Sequence, residues 1–121
     1  MSANVQIEGM DSLLKKLKAM GPSMEAAGVE AVTESAAQAQ QDMQDRVRVD
    51  TGALRDSIRI EGEGLEQRVG PGDEERDKAL ANEFGTSRMS AQPYVVPALE
   101  AQRRDFPSVL GNKVSEAVTK L

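Results

Sequence analysis

Between Asn82 and Glu100 the chain reads NEFGTSRMSAQPYVVPALE, and no other stretch constrains the fold as strongly. The sequence holds only two phenylalanines, one tyrosine and no tryptophan, and Phe84 and Tyr94 both lie here. Pro93 and Pro97 bracket the tyrosine. Proline fixes its own φ and pushes the preceding residue toward extended geometry, so Tyr94-Val95-Val96 is expected to be a rigid extended insertion. Pro97 then suits the first position of a new helix. Upstream, Ala79-Leu80-Ala81 leads to Phe84 and Gly85, where a helix can stop in a left-handed residue. Lys78 to Phe84 is therefore expected as a short helix.

Ahead of this stretch the hydrophobic pattern changes period several times. Asn4 to Glu8 alternates Val5 and Ile7 with polar residues, as a half-buried strand does. Asp11 or Ser12 can cap a short helix with Leu13, Leu14, Leu17 and Met20 on one side and Lys15, Lys16 and Lys18 on the other. Gly21-Pro22 ends it. Ser23 is the expected cap of the longest helix, reaching about Arg48, with Val29, Val32, Ala36, Ala39, Met43 and Val47 in one stripe. The alanines in that stripe admit a close neighbour, expected to be the chain's own sheet, with an adjacent subunit as the alternative. Asp50 and Thr51 can accept hydrogen bonds from the next turn, where Gly52 tolerates unusual angles. Ser57 to Glu61 and Glu66 to Gly70 flank Gly62-Glu63-Gly64 and read as a β-hairpin with Ile58, Ile60, Leu65 and Val69 inward. Gly70-Pro71-Gly72 and the run Asp73 to Asp77 read as a charged surface loop. After Pro97, Leu99, Phe106, Leu110, Val114 or Val118, and Leu121 can share a helical face, with a kink or a fresh start expected at Pro107. The fold class expected is α+β. A small antiparallel sheet, built from the amino-terminal strand and the hairpin, is packed by the long helix and the carboxy-terminal helix in one domain spanning 1–121.

Composition narrows the chemistry. Without cysteine or histidine, disulfides, thiolate or imidazole metal ligands, and nucleophile triads with an imidazole base are excluded. Twenty acidic residues against fifteen basic leave a net charge of -5, which disfavours general attraction to nucleic acid. No apolar run approaches the roughly 20 residues that span a bilayer, and the amino terminus lacks a basic region followed by an apolar one. No membrane association and a cytoplasmic site of synthesis are expected, with no cofactor and no metal.

Three blocks carry a resemblance. Glu83-Phe84-Gly85-Thr86, a polar loop and Gln92-Pro93-Tyr94-Val95-Val96-Pro97-Ala98 resemble the E-[FY]-G-T … P-[FY]-[LV]-x-P-A signature of the phage tail-completion family. Asp50-Thr51-Gly52-Ala53-Leu54-Arg55-Asp56-Ser57-Ile58 is similar to its T-G-x-L-[RK]-x-S-I segment, and Ile7-Glu8-Gly9-Met10-Asp11-Ser12-Leu13 to its opening I-x-G-x-x-x-L. The resemblance implies a structural virion protein of the head-to-tail junction, assembled in the host bacterial cytoplasm. It implies a ring of copies of this chain, contacts with head-closure or connector proteins and with tail-terminator or tail-tube proteins, and DNA passing through the channel without sequence-specific binding. The residues implicated in interface or motif geometry are Asp50, Thr51, Gly52, Leu54, Glu83, Phe84, Gly85, Thr86, Pro93, Tyr94, Val95 and Pro97.

For several of these a purely structural role competes. Phe84, Tyr94 and Val95 can plug the core while Gly85, Pro93 and Pro97 set loop geometry. Glu83 has two roles open to it: accepting from the Gly85-Thr86 turn, or pairing with a basic group on a neighbour. Three function classes follow: the head-tail joining protein, with a tail terminator as its near relation; an adaptor or nucleic-acid-binding regulator resting on the three lysines; and an enzyme using Asp and Glu as acid and base.

Overall fold

A computed structural model of the chain describes residues 10–48 and 52–120. The strand expected at Asn4 to Glu8 and the turn residues Asp50 and Thr51 lie outside the described residues.

The first helix, α1 (Met10–Ala19), ends where the Met20 N–H bonds back to the Lys16 carbonyl at 3.1 Å and Gly21 takes φ +110°. The second, α2 (Pro22–Arg46), opens on Pro22, at a position where a missing N–H has no intrahelical partner to lose. Gly21 occupies the cap position with no side-chain hydrogen bond, so the cap expected from Ser23 is not formed and that serine lies inside the first turn. Along α2 the buried residues Met24, Ala27, Ala31, Ser35, Ala36, Ala39 and Met43 recur every three or four positions and form one stripe of mostly small side chains.

That stripe faces two neighbours. The main one is α5 (Val95–Thr119), which lies antiparallel to α2; the hairpin covers the rest. The carboxy-terminal half of α2 shares one buried cluster with Tyr94, Val95 and Ala98, while Met24 and Ala31 share a second with Leu17, Phe106 and Leu110. Between the two, Ser35 donates to the Gln102 side chain at 2.8 Å, both residues buried. The sheet expected on the alanine stripe does lie against α2, but α5 is the larger neighbour: alanine allows helix backbones to approach, and α5 exploits it.

Leu54 and Ile58 bring the short α3 (Ala53–Ser57) into the first cluster. The hairpin pairs β1 (Arg59–Glu63) with β2 (Glu66–Gly70), joined by Gly64-Leu65, in the register Ile60↔Val69 and Glu63↔Glu66. Ser57 and Ile58, expected in the first strand, instead end α3, where the Ser57 hydroxyl donates to the Leu54 carbonyl at 2.7 Å. Period-two alternation sends Val69, Ile60 and Gln67 toward α2, the last donating to the Thr33 hydroxyl at 2.9 Å. At the tip, Leu65 rests over Gly28; a Cβ there would lie 3.1 Å from Leu65 and 3.2 Å from Leu17 of α1. Among the described residues the sheet has these two strands only, and the class is α+β.

The segment expected as a charged loop carries structure. Pro71 and Gly72 are buried, Asp73–Glu75 form a 3-10 turn, and this runs into α4 (Arg76–Phe84) two residues before the expected start. Farther on, α5 continues through Pro107 as one helix and does not restart there. Phe106 and Leu110 face the core while Pro107 is exposed.

Candidate functional site

The site is a corner where α2 ends, α4 ends and α5 begins. Gly85 stops α4 with φ +78°, its N–H bonding to the Ala81 carbonyl at 2.8 Å. A Cβ on Gly85 would lie 2.8 Å from the Ala91 nitrogen, because the following loop folds back over it. That loop is closed at two levels. Thr86 and Met89 exchange backbone hydrogen bonds of 2.8 and 3.3 Å, and the Thr86 hydroxyl accepts from the Arg88 N–H at 3.2 Å. At the base, the Gln92 N–H donates to the Asn82 carbonyl at 2.8 Å while the Asn82 amide returns a bond to the Gln92 carbonyl at 2.6 Å. The Gln92 side chain then reaches α2, donating to the Arg46 carbonyl at 3.2 Å and accepting from the Arg48 guanidinium at 3.1 Å. A carbonyl in the last turn of a helix has no acceptor duty within it, and Gln92 supplies that partner.

Glu83 does the equivalent at the start of α5. It is 4% exposed, and its Oε1 accepts from the Tyr94 and Val95 N–H groups at 3.0 and 2.9 Å, its Oε2 from Val96 at 3.2 Å. A helix leaves its first four N–H groups without intrahelical acceptors. Here three go to one carboxylate, and the fourth does not exist because the residue is Pro97. A negative charge is also favoured by the partial positive charge at a helix N-terminus. Both roles expected of Glu83 are therefore replaced by this one, and the extended Tyr94-Val95-Val96 insertion is corrected: α5 begins at Val95, with Pro97 third in the helix. The carboxylate supplies the acceptors that make the helical conformation at Val95 and Val96 worth more than the extended preference before proline.

The aromatic residues divide sharply. Tyr94 is fully buried and its hydroxyl has no hydrogen-bond partner among the described residues. Burial, with a smaller contribution from the Glu83 charge, pushes its pKa up to about 12. Phe84 is 70% exposed, so the expectation that it plugs the core is overturned. Because Glu83 points inward, the next side chain on the helix must point elsewhere. Val96, whose N–H is held by the same carboxylate, is 51% exposed.

Of the other expected residues, Val95 and Leu54 are buried in the first cluster beside Tyr94, and Gly52 takes φ +87° at the start of α3. Pro93 and Thr86 are exposed and Pro97 is half-buried. The residues that sequence reasoning missed are Asn82 and Gln92, whose polar side chains mark the two ends of the loop they close. Among the described residues no group of three potential metal ligands occurs, and no helix is long and apolar enough to cross a membrane.

Comparison with known proteins matches residues 11–89 to a family model described as "Bacteriophage HK97-gp10, putative tail-component". The matched span takes in the Thr-Gly and Glu-Phe-Gly-Thr blocks and stops before Pro93. Searches of curated proteins and of solved structures found no match. With well over half of its length covered, the chain belongs to the HK97-gp10-like family of bacteriophage tail components.

Proposed function

We propose that this chain is a structural protein of the phage neck that completes the tail and joins it to the DNA-filled head. In this reading copies form a ring around the DNA passage, bounded by a connector or head-closure protein on one side and a terminator or tube protein on the other. The observation that carries it is the corner itself. The Glu-Phe-Gly-Thr turn is braced at Asn82, Glu83 and Gln92, yet the aromatic residue at its centre faces solvent. Bracing of this kind, around an aromatic side chain left outside the core, fits a docking element whose shape is set before the partner arrives; such preorganisation lowers the entropy cost of association. A net charge of -5 supports a passage that does not retain DNA.

The test is electron microscopy of particles from a producing phage in which this chain alone is deleted, with complementation as control. DNA-filled heads beside separate tails of normal length are expected. Overlong tails would move the assignment to tail terminator, and intact infectious particles would overturn it.

A further inference from the structure

Charge is distributed unevenly over this chain. The segment 59–77 holds seven acidic and three basic residues, whereas 10–20 holds three lysines and one aspartate. On the hairpin the register sets Glu63 directly opposite Glu66, on the face turned away from α2. Like charges directly opposed across an antiparallel pair destabilise it. Neither glutamate has an ion-pair partner among the described residues: Arg59 is engaged by Glu74 and Glu61, and Arg68 pairs with neither. The fold therefore keeps an acidic pair at an exposed tip without neutralising it.

The complementary surface is on α1. Lys15, Lys16 and Lys18 are exposed and form no ion pair among the described residues. On this helix Leu17 is buried, while Leu13 is 38% exposed and Met20, just past its end, 65%. Such a helix face offers both desolvation and positive charge. Within one molecule Leu65 at the tip and Leu17 of α1 both lie against Gly28, yet no ion pair among the described residues joins these lysines to Glu63 or Glu66.

We propose that the Lys15–Lys16–Lys18 face of α1 docks on the Glu63/Glu66 tip of a second copy of this chain. Two different surfaces are used, so the contact is heterologous and repeats from copy to copy. It rests on the self-assembly part of the function proposed above and names the surfaces that part requires. Attraction between them reaches roughly 30 Å at 0.01 M salt and about 8 Å at 0.15 M, so assembly weakens as salt is raised.

The experiment is sedimentation velocity of the whole chain at low salt, with two charge-reversed variants, K15E/K16E and E63K/E66K. Each variant alone should associate at least about tenfold more weakly than the parent, because every contact then sets like charges together. An equimolar mixture should regain association, since each variant now offers what the other lacks. All four side chains are exposed, and unchanged thermal melting checks that folding is intact. Association of either variant equal to the parent, a mixture that stays dissociated, or a parent that is monomeric at low salt would each overturn the contact. None of these results touches the neck assignment, which the deletion phage decides separately.

Discussion

Glu83 is the residue on which the corner depends, because one carboxylate answers three backbone donors that have no intrahelical acceptor. Glu83→Ala leaves those N–H groups unsatisfied in a buried site, at about 1–3 kcal/mol each before relaxation. The expected loss is about 3 kcal/mol or more in urea unfolding. Glu83→Gln keeps one acceptor oxygen and turns an amide N–H₂ toward the remaining donor, so about half that loss is expected. A change within about 0.5 kcal/mol for Glu83→Ala, the size of an ordinary surface substitution, would show that the cap carries no weight. Tyr94 makes the opposite case. Its ring fills the core but its hydroxyl is buried without a partner among the described residues, so Tyr94→Phe should leave stability unchanged or raise it by up to about 1 kcal/mol. The folded chain also holds the phenol proton more tightly than the unfolded chain, whose tyrosine titrates near 10. Tyr94 therefore contributes its full stability below about pH 10 and loses it as pH rises toward about 12. Tyr94→Phe should remove that part of the alkaline slope. As this is the sole tyrosine, tyrosinate absorbance reads its titration directly, and a midpoint near 10 in the native protein would refute the shift.

Helix α5 shows what a linear pattern can and cannot convey. Its apolar face was legible: Phe106 and Leu110 are buried as their spacing predicts, and the alanine stripe of α2 does admit a close neighbour. The hairpin was legible from its glycine-rich turn, though β1 starts two residues late because Ser57 hydrogen-bonds back into α3. The start of α5 was not legible. Two prolines argue locally for extended backbone, and the group that overrules them, Glu83, lies eleven to thirteen residues upstream of the donors it serves. The exposure of Phe84 was hidden for a similar reason: scarcity of aromatics argues for burial, and only the inward turn of its neighbour Glu83 decides otherwise. Pro107 argues locally for a kink or a fresh start, and no fresh start occurs: the helix runs through it, carried by packing at Phe106 and Leu110. An interior proline costs about 3 kcal/mol against alanine, partly offset by about 0.4–1 kcal/mol from the stiffer unfolded chain. Pro107→Ala is therefore expected to stabilise the protein by about 2 kcal/mol or slightly more in urea unfolding. A lower midpoint would mean that the ring makes contacts the helix needs.

Among the described residues the large apolar side chains divide between two buried clusters and an exposed set that includes Phe84 and Val96, and that division separates folding from docking. The first cluster draws Tyr94 and Val95 inward from the corner; Phe84 and Val96, next to the same carboxylate, belong to neither cluster. A side chain that is 70% exposed contributes little to folding, so Phe84→Ser should leave the thermal midpoint nearly unchanged. Tyr94→Ala, in contrast, opens a cavity in the first cluster and should cost about 3–5 kcal/mol. If the corner docks in the virion, the order reverses for assembly. An aromatic anchor at an interface commonly accounts for 2 kcal/mol or more, so a folded Phe84→Ser chain should complement the deletion phage about tenfold less well, or worse. Its particles should show unjoined heads and tails despite normal levels of the protein. Conversely, Phe84→Tyr preserves most of the contact area and should restore joining, which a mere loss of solubility would not explain. Full infectivity of the Phe84→Ser phage would remove this face from the assembly and leave the braced corner as a device for holding α4 and α5 together.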